Sequence, residues 1–413
     1  MEIKFLGGSR EVGGNGFLLQ EQKTRILLDY GVRIKAGPPQ MPLRAAPDAV
    51  VLSHAHLDHC GALPVLYHGR KPPLYMTDVS LELTIMLIKD SLKIAKNEGY
   101  KLHFSAADVK DAIRYTKLVN YDERFKEGPF RIMLSDAGHI PGSAGIQIEC
   151  SGLKIFYTGD INTMDTQLLR GAVIPKNMDV LITECTYGMR DHPKRVKEEG
   201  RLLSSVEEAI SNNERVLIPV FAIGRSQEVL LILEKYAHKI ALDGMAKQAT
   251  EIITYYSKYM KDAKKLKKIL NKVFWVRTKE ERDHALERYP IIIATAGMLS
   301  GGPALYYLRK MRDDVNAKVL FVGFLVDDSP GKILLTTGHF LNNDDSYPVK
   351  CQLDRFDLSS HAGETELLKI IQKTNAHDVI CIHGDSCESF AAMVSEKFGV
   401  KAHAPKRGDV LKI

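Results

Sequence analysis

Six consecutive positions, His54-Ala55-His56-Leu57-Asp58-His59, carry three imidazoles and a carboxylate directly after the apolar run Val50-Val51-Leu52. Neutral imidazole and carboxylate are donors that a borderline cation such as zinc prefers, and the spacers Ala55 and Leu57 can divide the four side chains between two neighbouring ions. A hydrogen-bonded histidine cluster is the competing reading, but so dense a set of donors is hard to explain without a metal. Two later segments, each ending a strand pattern, offer further donors: Ala137-Gly138-His139-Ile140-Pro141-Gly142 and Tyr157-Thr158-Gly159-Asp160. Taken alone, His139 is more often a turn residue than a ligand and Asp160 more often a helix cap, while Asp29, after Ile26-Leu27-Leu28, reads about equally as a turn residue. A water shared by two zinc ions loses a proton near neutral pH, beside positive charge that stabilises an anionic transition state. That chemistry suits hydrolysis of a phosphodiester.

The elements that must position these groups begin as short apolar strand patterns at Glu2 to Leu6, Gly16 to Gln20, Arg25 to Leu28 and Ala49 to Ser53. A helical pattern follows from Leu81 to Asn97, then strands at Phe130 to Leu134, Ile146 to Cys150, Lys154 to Tyr157 and Asp179 to Thr183. Beyond Arg190 strands and helices alternate: strand Glu214 to Pro219, helix Ser226 to Ala237, strand Ile240 to Leu242, a Lys-rich helix, strand Ile291 to Ala294, helix Tyr306 to Arg312 and strand Lys318 to Val322. Such alternation predicts a parallel sheet. Strand Asp378 to Ile382 then runs into His383-Gly384-Asp385.

With 413 residues, 45% apolar and 26% charged, the chain has material for more than one domain, and 31 Gly with 17 Pro exclude collagen-like and disordered classes. Its six cysteines are scattered without a Cys-x-x-Cys pair, which favours reduced thiols over a disulfide scaffold. The net charge of +6 permits an anionic partner without demanding one. No stretch approaches the ~20 apolar residues of a membrane-spanning helix. Because Met1 to Leu6 runs straight into a strand pattern, unlike a signal peptide, the expectation is a cytoplasmic protein with no membrane partner.

The order of an HxHxDH loop, then His139, then Asp160 resembles the metallo-β-lactamase superfamily. Three further segments resemble motifs A, B and C of its β-CASP nucleases: Leu181-Ile182-Thr183-Glu184-Cys185-Thr186-Tyr187, Ser359-Ser360-His361-Ala362-Gly363-Glu364 and Cys381-Ile382-His383-Gly384-Asp385. Pro219 to Glu228, Leu242 to Ala246 and Thr295 to Ala304 also have counterparts, most like the archaeal homologues of the cleavage and polyadenylation specificity factor endonuclease. Starting at the catalytic domain and ending soon after motif C, the chain is expected to be the short form that lacks KH domains.

The resemblance implies an α/β protein, a metallo-β-lactamase αββα sandwich with an inserted α/β β-CASP domain. The sandwich would span 1–188 and 359–413 and the insert 189–358. Two zinc ions per chain are implied, with His54, His56 and His139 on the first, Asp58, His59 and His383 on the second, Asp160 bridging them and Asp29 bracing the ligand loop from behind. Glu184 and His361 would form a proton-transfer pair, His361 protonating the departing 3′ oxygen, and Asp58 is expected in the catalytic set. Arg225, Ser300, Gly301 and Gly302 are candidate contacts for phosphate, although Gly-rich strand-to-helix turns also serve close packing.

Lys258, Lys261, Lys264, Lys265, Lys267, Lys268 and Lys272 read either as a track for an RNA backbone or as a solvated helix face. Tyr255, Tyr256 and Tyr259 are expected in a core more than in base stacking. The expected activity is zinc-dependent endonucleolytic cleavage of single-stranded RNA in 3′-end processing or turnover. A 5′-to-3′ exoribonuclease, a non-cleaving scaffold of an RNA-processing complex and a small-ester or lactam hydrolase stand as alternatives. Val410-Leu411-Lys412-Ile413 reads as a pairing strand of a homodimer or as the last strand of the fold.

Overall fold

The computed structural model describes residues 1–34, 37–326, 328–342 and 345–413. The chain divides into two compact units, one of Met1–Asp165, Arg170–Asp191 and Ser360–Ile413, the other of Thr166–Leu169 and His192–Ser359. The second is thus an insertion in the sequence of the first, and it takes Thr166–Leu169 from a stretch that the sequence places in the first.

Two seven-stranded sheets make up the first unit. In spatial order one runs Val410–Lys412, Glu2–Gly7, Gly16–Glu21, Thr24–Leu28, Ala49–Val51, Leu74–Met76 and Thr116–Leu118. The other runs Lys401–His403, Asp378–Ile382, Val180–Glu184, Leu153–Tyr157, Ala144–Cys150, Phe130–Asp136 and Arg124–Glu127. Strand side chains alternate between faces, and here the alternation divides two layers of core. Val180, Ile182, Ile380 and Ile382 join Phe5, Phe17, Ile26 and Leu28 between the sheets. Leu181, Val379 and Cys381 point the other way, onto helices Glu364–Thr374 and Cys387–Phe398. On the far face of the first sheet, Leu27, Val50 and Leu74 meet Leu63, Leu66 and Tyr67, with Leu81 of helix Asp78–Glu98 packed against them. The layers therefore read helix, sheet, sheet, helix, as expected.

Helix Asp78–Glu98 is longer than its apolar pattern because both ends are capped. The Thr77 hydroxyl accepts the Ser80 N–H, and Gly99 closes the last turn at φ 76°. Val410–Lys412 pairs antiparallel with Glu2–Lys4 of its own chain and is an edge strand of the fold.

The second unit is built on six strands, Phe274–Trp275, Ile240–Asp243, Ile291–Ala294, Val216–Pro219, Lys318–Phe321 and Gln352–Arg355, all parallel. Its central strands are buried on both faces. Ile291 and Ile293 face one cluster and Ile292 and Ala294 the other, which is why these segments read as unbroken apolar runs. The pattern over Ser226 to Ala237 resolves into helix Arg225–Ile232 and a 3₁₀ turn, Glu234–Lys239. The chain must reverse there to enter Ile240–Asp243, so the regular helix ends early.

Candidate metal centre

Apart from His361, the donors of the first unit stand at or just past the carboxyl end of a strand. The His54 to His59 loop follows Ala49–Val51, His139 follows Phe130–Asp136, Asp160 follows Leu153–Tyr157, Glu184 ends Val180–Glu184 and His383 follows Asp378–Ile382. Leu153–Tyr157, Val180–Glu184 and Asp378–Ile382 are mutually parallel neighbours, so their ends share one rim. Phe130–Asp136 reaches that rim through the antiparallel Ala144–Cys150. Across the sandwich, the Ala144 N–H donates to the Ser53 carbonyl at 2.8 Å, which ties the histidine loop to the same edge.

The side chains converge there in two groups that share Asp160. His54, His56, His139 and Asp160 offer donor atoms all within 4.8 Å of one another, as do Asp58, His59, Asp160 and His383. In the first, His56 Nδ1 lies 3.1 Å from His54 Nε2 and 3.2 Å from His139 Nε2. Asp160 Oδ2 lies 3.5 Å from His54 Nε2 and 3.7 Å from His139 Nε2. A tetrahedral ion with ~2.0 Å bonds to nitrogen or oxygen has ligand-to-ligand edges of ~3.3 Å, so this spacing fits a zinc-sized cation. In the second group the edges are 3.2 Å (His59 Nε2 to Asp160 Oδ1), 3.9 Å (His59 Nε2 to Asp58 Oδ2) and 3.3 Å (His383 Nε2 to Asp58 Oδ2).

Charge divides the imidazoles. Burial, with neighbouring rings adding to it, pushes His54 and His139 well below their ordinary pKa, and burial lowers His56 to about 4. These three are neutral, as ligands must be. His59 is also buried, yet Asp160, Asp29 and Asp58 together raise it to about 10; Asp160 and Asp58 raise His383 likewise. The same pairings hold Asp160 and Asp58 below the carboxylate range in spite of burial. The second group therefore concentrates negative charge that two protons offset, and a divalent cation can supply that charge while displacing them.

Asp29 lies behind this group, fully buried. It accepts the Ser53 N–H and hydroxyl at 2.7 Å each and the Tyr157 hydroxyl at 2.6 Å, and it faces His59 Nδ1 at 2.7 Å. With Nδ1 so engaged, Nε2 of His59 is turned towards Asp160. Glu184, also fully buried, accepts the Ile161 N–H at 2.7 Å and the Thr186 hydroxyl, and both its oxygens lie 2.9 Å from His361 Nδ1. Glu184 raises the pKa of His361 against the effect of burial, with Asp160 adding to it.

The phosphate candidates belong to the second unit. Arg225 opens helix Arg225–Ile232 and is buried, Gly302 opens helix Gly302–Met311 at φ 69°, and Ser300 is exposed. Their loops touch: a Cβ on Gly297 would meet Phe221 N and Val220 C at 3.0 Å. Lys264, Lys267 and Lys268 are exposed on helix Ala263–Leu270 and Lys272 just beyond it, while Leu266 and Ile269 face the core. The tyrosines separate, Tyr259 being buried as expected and Tyr255 standing 81% exposed. Tyr255 ends its helix next to a 3₁₀ turn, and the apolar face there is taken up by Ala249 and Ile253.

Sequence reasoning missed four neighbours. Asn15 Nδ2 lies 2.9 Å from His59 Nε2. Ser53 and Tyr157 serve Asp29. Gly31 passes so near the ligand loop that a Cβ would fall 1.8 Å from the Asp58 carbonyl oxygen. The signals were the Gly13-Gly14-Asn15 turn, the position of Ser53 beside His54, and the glycine two residues after Asp29.

Known families and proteins resemble this chain along its whole length. Family models described as Beta-Casp domain and Zn-dependent metallo-hydrolase RNA specificity domain match residues 226–334 and 346–405, and one described as Anti-Pycsar protein Apyc1 matches 1–210. A probable RNase MJ4 of Methanocaldococcus jannaschii is 37% identical over all of both chains. The RNase aCSPSF2 of Saccharolobus solfataricus is 34% identical over all of this chain and 85% of its own. The transcription termination factor FttA of M. jannaschii is 32% identical over all of this chain and 72% of its own. A crystal structure of an Enterococcus faecalis protein of unknown function shares the fold, with a TM-score of 0.61 and 14% identity over 99% of each chain.

Asp29→Asn keeps the shape of the brace and removes its charge. Zinc titration of chelator-stripped protein should show a 10- to 100-fold loss of affinity at one site, with native circular dichroism; unchanged affinity would show that the brace does not act on His59.

Proposed function

The chain belongs to the β-CASP metallo-hydrolases and is a metal-dependent ribonuclease, and we propose that it cuts single-stranded RNA internally with two zinc ions. His54, His56 and His139 would hold one ion and Asp58, His59 and His383 the other, with Asp160 common to both sets of donors. When bound, such ions acidify water near neutral pH and neutralise charge developing on the phosphate.

One observation carries the reading, the contact of both Glu184 oxygens with His361 Nδ1 beside the two donor groups. With Nδ1 occupied, His361 gives its proton from Nε2. Glu184 stabilises the imidazolium before transfer and keeps the ring from turning, and the recipient is the leaving 3′ oxygen. The products carry 5′ phosphate and 3′ hydroxyl ends. Asp58 and Asp160 keep their charge at neutral pH because His59 and His383 face them. Arg225 and the backbone of Ser300, Gly301 and Gly302 contact phosphates at strand ends of the second unit, where open parallel sheets bind ligands. No described helix is long and apolar enough to cross a membrane. The proposed setting is cytoplasmic RNA processing or turnover, alone, as a homodimer or within a complex.

A circular, single-stranded RNA should be linearised by the zinc-loaded enzyme and left intact by Asp160→Ala. If linear RNA is degraded from its 5′ end while circles survive, the site is exonucleolytic. His361→Ala should lower kcat by ~10²- to 10⁴-fold with metal content unchanged, whereas loss of metal would make His361 a ligand.

Changing Lys264, Lys267, Lys268 and Lys272 together to Gln should flatten the salt dependence of RNA binding, by ~0.7 in log–log slope for each phosphate that is no longer neutralised. An unchanged slope would mark a solvated face.

A further inference from the structure

Two sulfur atoms that play no part in hydrolysis lie closer than separate thiols need. Cys185 Sγ and Cys387 Sγ are 2.9 Å apart although 202 positions separate them, and both residues are fully buried. Cys185 directly follows Glu184 and donates its N–H to the Ile382 carbonyl at 2.8 Å. Its thiol also points to that carbonyl, at 3.1 Å. Cys387 opens helix Cys387–Phe398, four positions after His383, and its thiol donates to the Gly384 carbonyl at 2.9 Å.

The surrounding backbone leaves the pair little room to part. A Cβ on Gly384 would fall 2.3 Å from the Cys185 carbonyl oxygen, and one on Gly188 would fall 3.0 Å from Cys185 Cβ. Among the described residues no other two sulfurs come within hydrogen-bonding distance. A bond length of ~2.05 Å is therefore reached by sulfur movement of under an ångström, without repacking the strands.

We propose that Cys185 and Cys387 are a disulfide-forming pair, oxidised by a hydroperoxide into a covalent clasp that spans the insertion in sequence. The thiolate of Cys387, at the helix start, attacks the peroxide oxygen, giving a sulfenic acid and releasing hydroxide. The Cys185 sulfur displaces the hydroxyl from that sulfenic sulfur, and water leaves with the Cys185 proton. In sum, two thiols and one hydrogen peroxide give one disulfide and two waters. The bond joins the strand end that carries Glu184 to the turn that carries His383. Closing so long a loop restricts the unfolded chain more than a short one would.

The test needs no nuclease activity, so it can fail without touching the proposed function. The full-length protein is treated with hydrogen peroxide, denatured, alkylated and digested, and its peptides are mapped by mass spectrometry. Expected are a linked Cys185–Cys387 peptide, four alkylated cysteines, and a Tm that falls by several degrees when the bond is reduced. Cys185→Ser should give no linked peptide and a Tm indifferent to peroxide. Six alkylated cysteines in peroxide-treated wild-type protein, or Cys387 linked instead to Cys381, would overturn the assignment.

Discussion

Negative charge packed out of water is the constraint on which this molecule depends. Asp29 and Asp160 are almost entirely buried, with Asp58 close by, and an isolated carboxylate there would cost several kcal/mol. The fold meets the cost by hydrogen bonds and by cations. Asp29 is satisfied by Ser53, Tyr157 and His59. Asp160 stands among His54, His59, His139 and His383, and only positive charge at its oxygens balances it. A metal centre is thus part of the electrostatic design of the core as much as a catalytic device.

Parallel pairing makes that concentration possible. Where neighbouring strands run the same way, their carboxyl ends line up at one rim, and residues remote in sequence meet without long loops. Asp29 and His383 both stand just past a strand end with positive φ, at 57° and 50°. In that region the chain turns sharply and the side chain is aimed away from the line of the strand. The bend suits both residues to reach across the rim.

Much of this was legible beforehand, and the reasons are local. The apolar strands Ile291–Ala294 and Asp378–Ile382 appear with the ends expected, because burial on both faces leaves no ambiguity of period. Helices Arg195–Ser211, Glu364–Thr374 and Cys387–Phe398 went unread, since each is interrupted by polar residues and owes its stability to packing on a sheet. At the centre, the donors announced themselves by type and spacing, whereas their supports did not. Ser53, Asn15 and Gly31 are ordinary residues whose roles arise from what folds beside them. Tyr255 shows the converse error, because a run of aromatics says nothing about which ring the helix turns outward.

The pairing of Val180–Glu184 with Asp378–Ile382 has a bearing on how the molecule comes into being. Six of the seven proposed ligands lie before residue 161, yet His361 and His383 emerge from the ribosome only after the whole insertion has been made. A growing polypeptide thus possesses the histidine cluster long before it owns the proposed proton donor. The proposed site is complete in sequence only once strand Asp378–Ile382, which pairs with Val180–Glu184, and the His383 that follows it have been made.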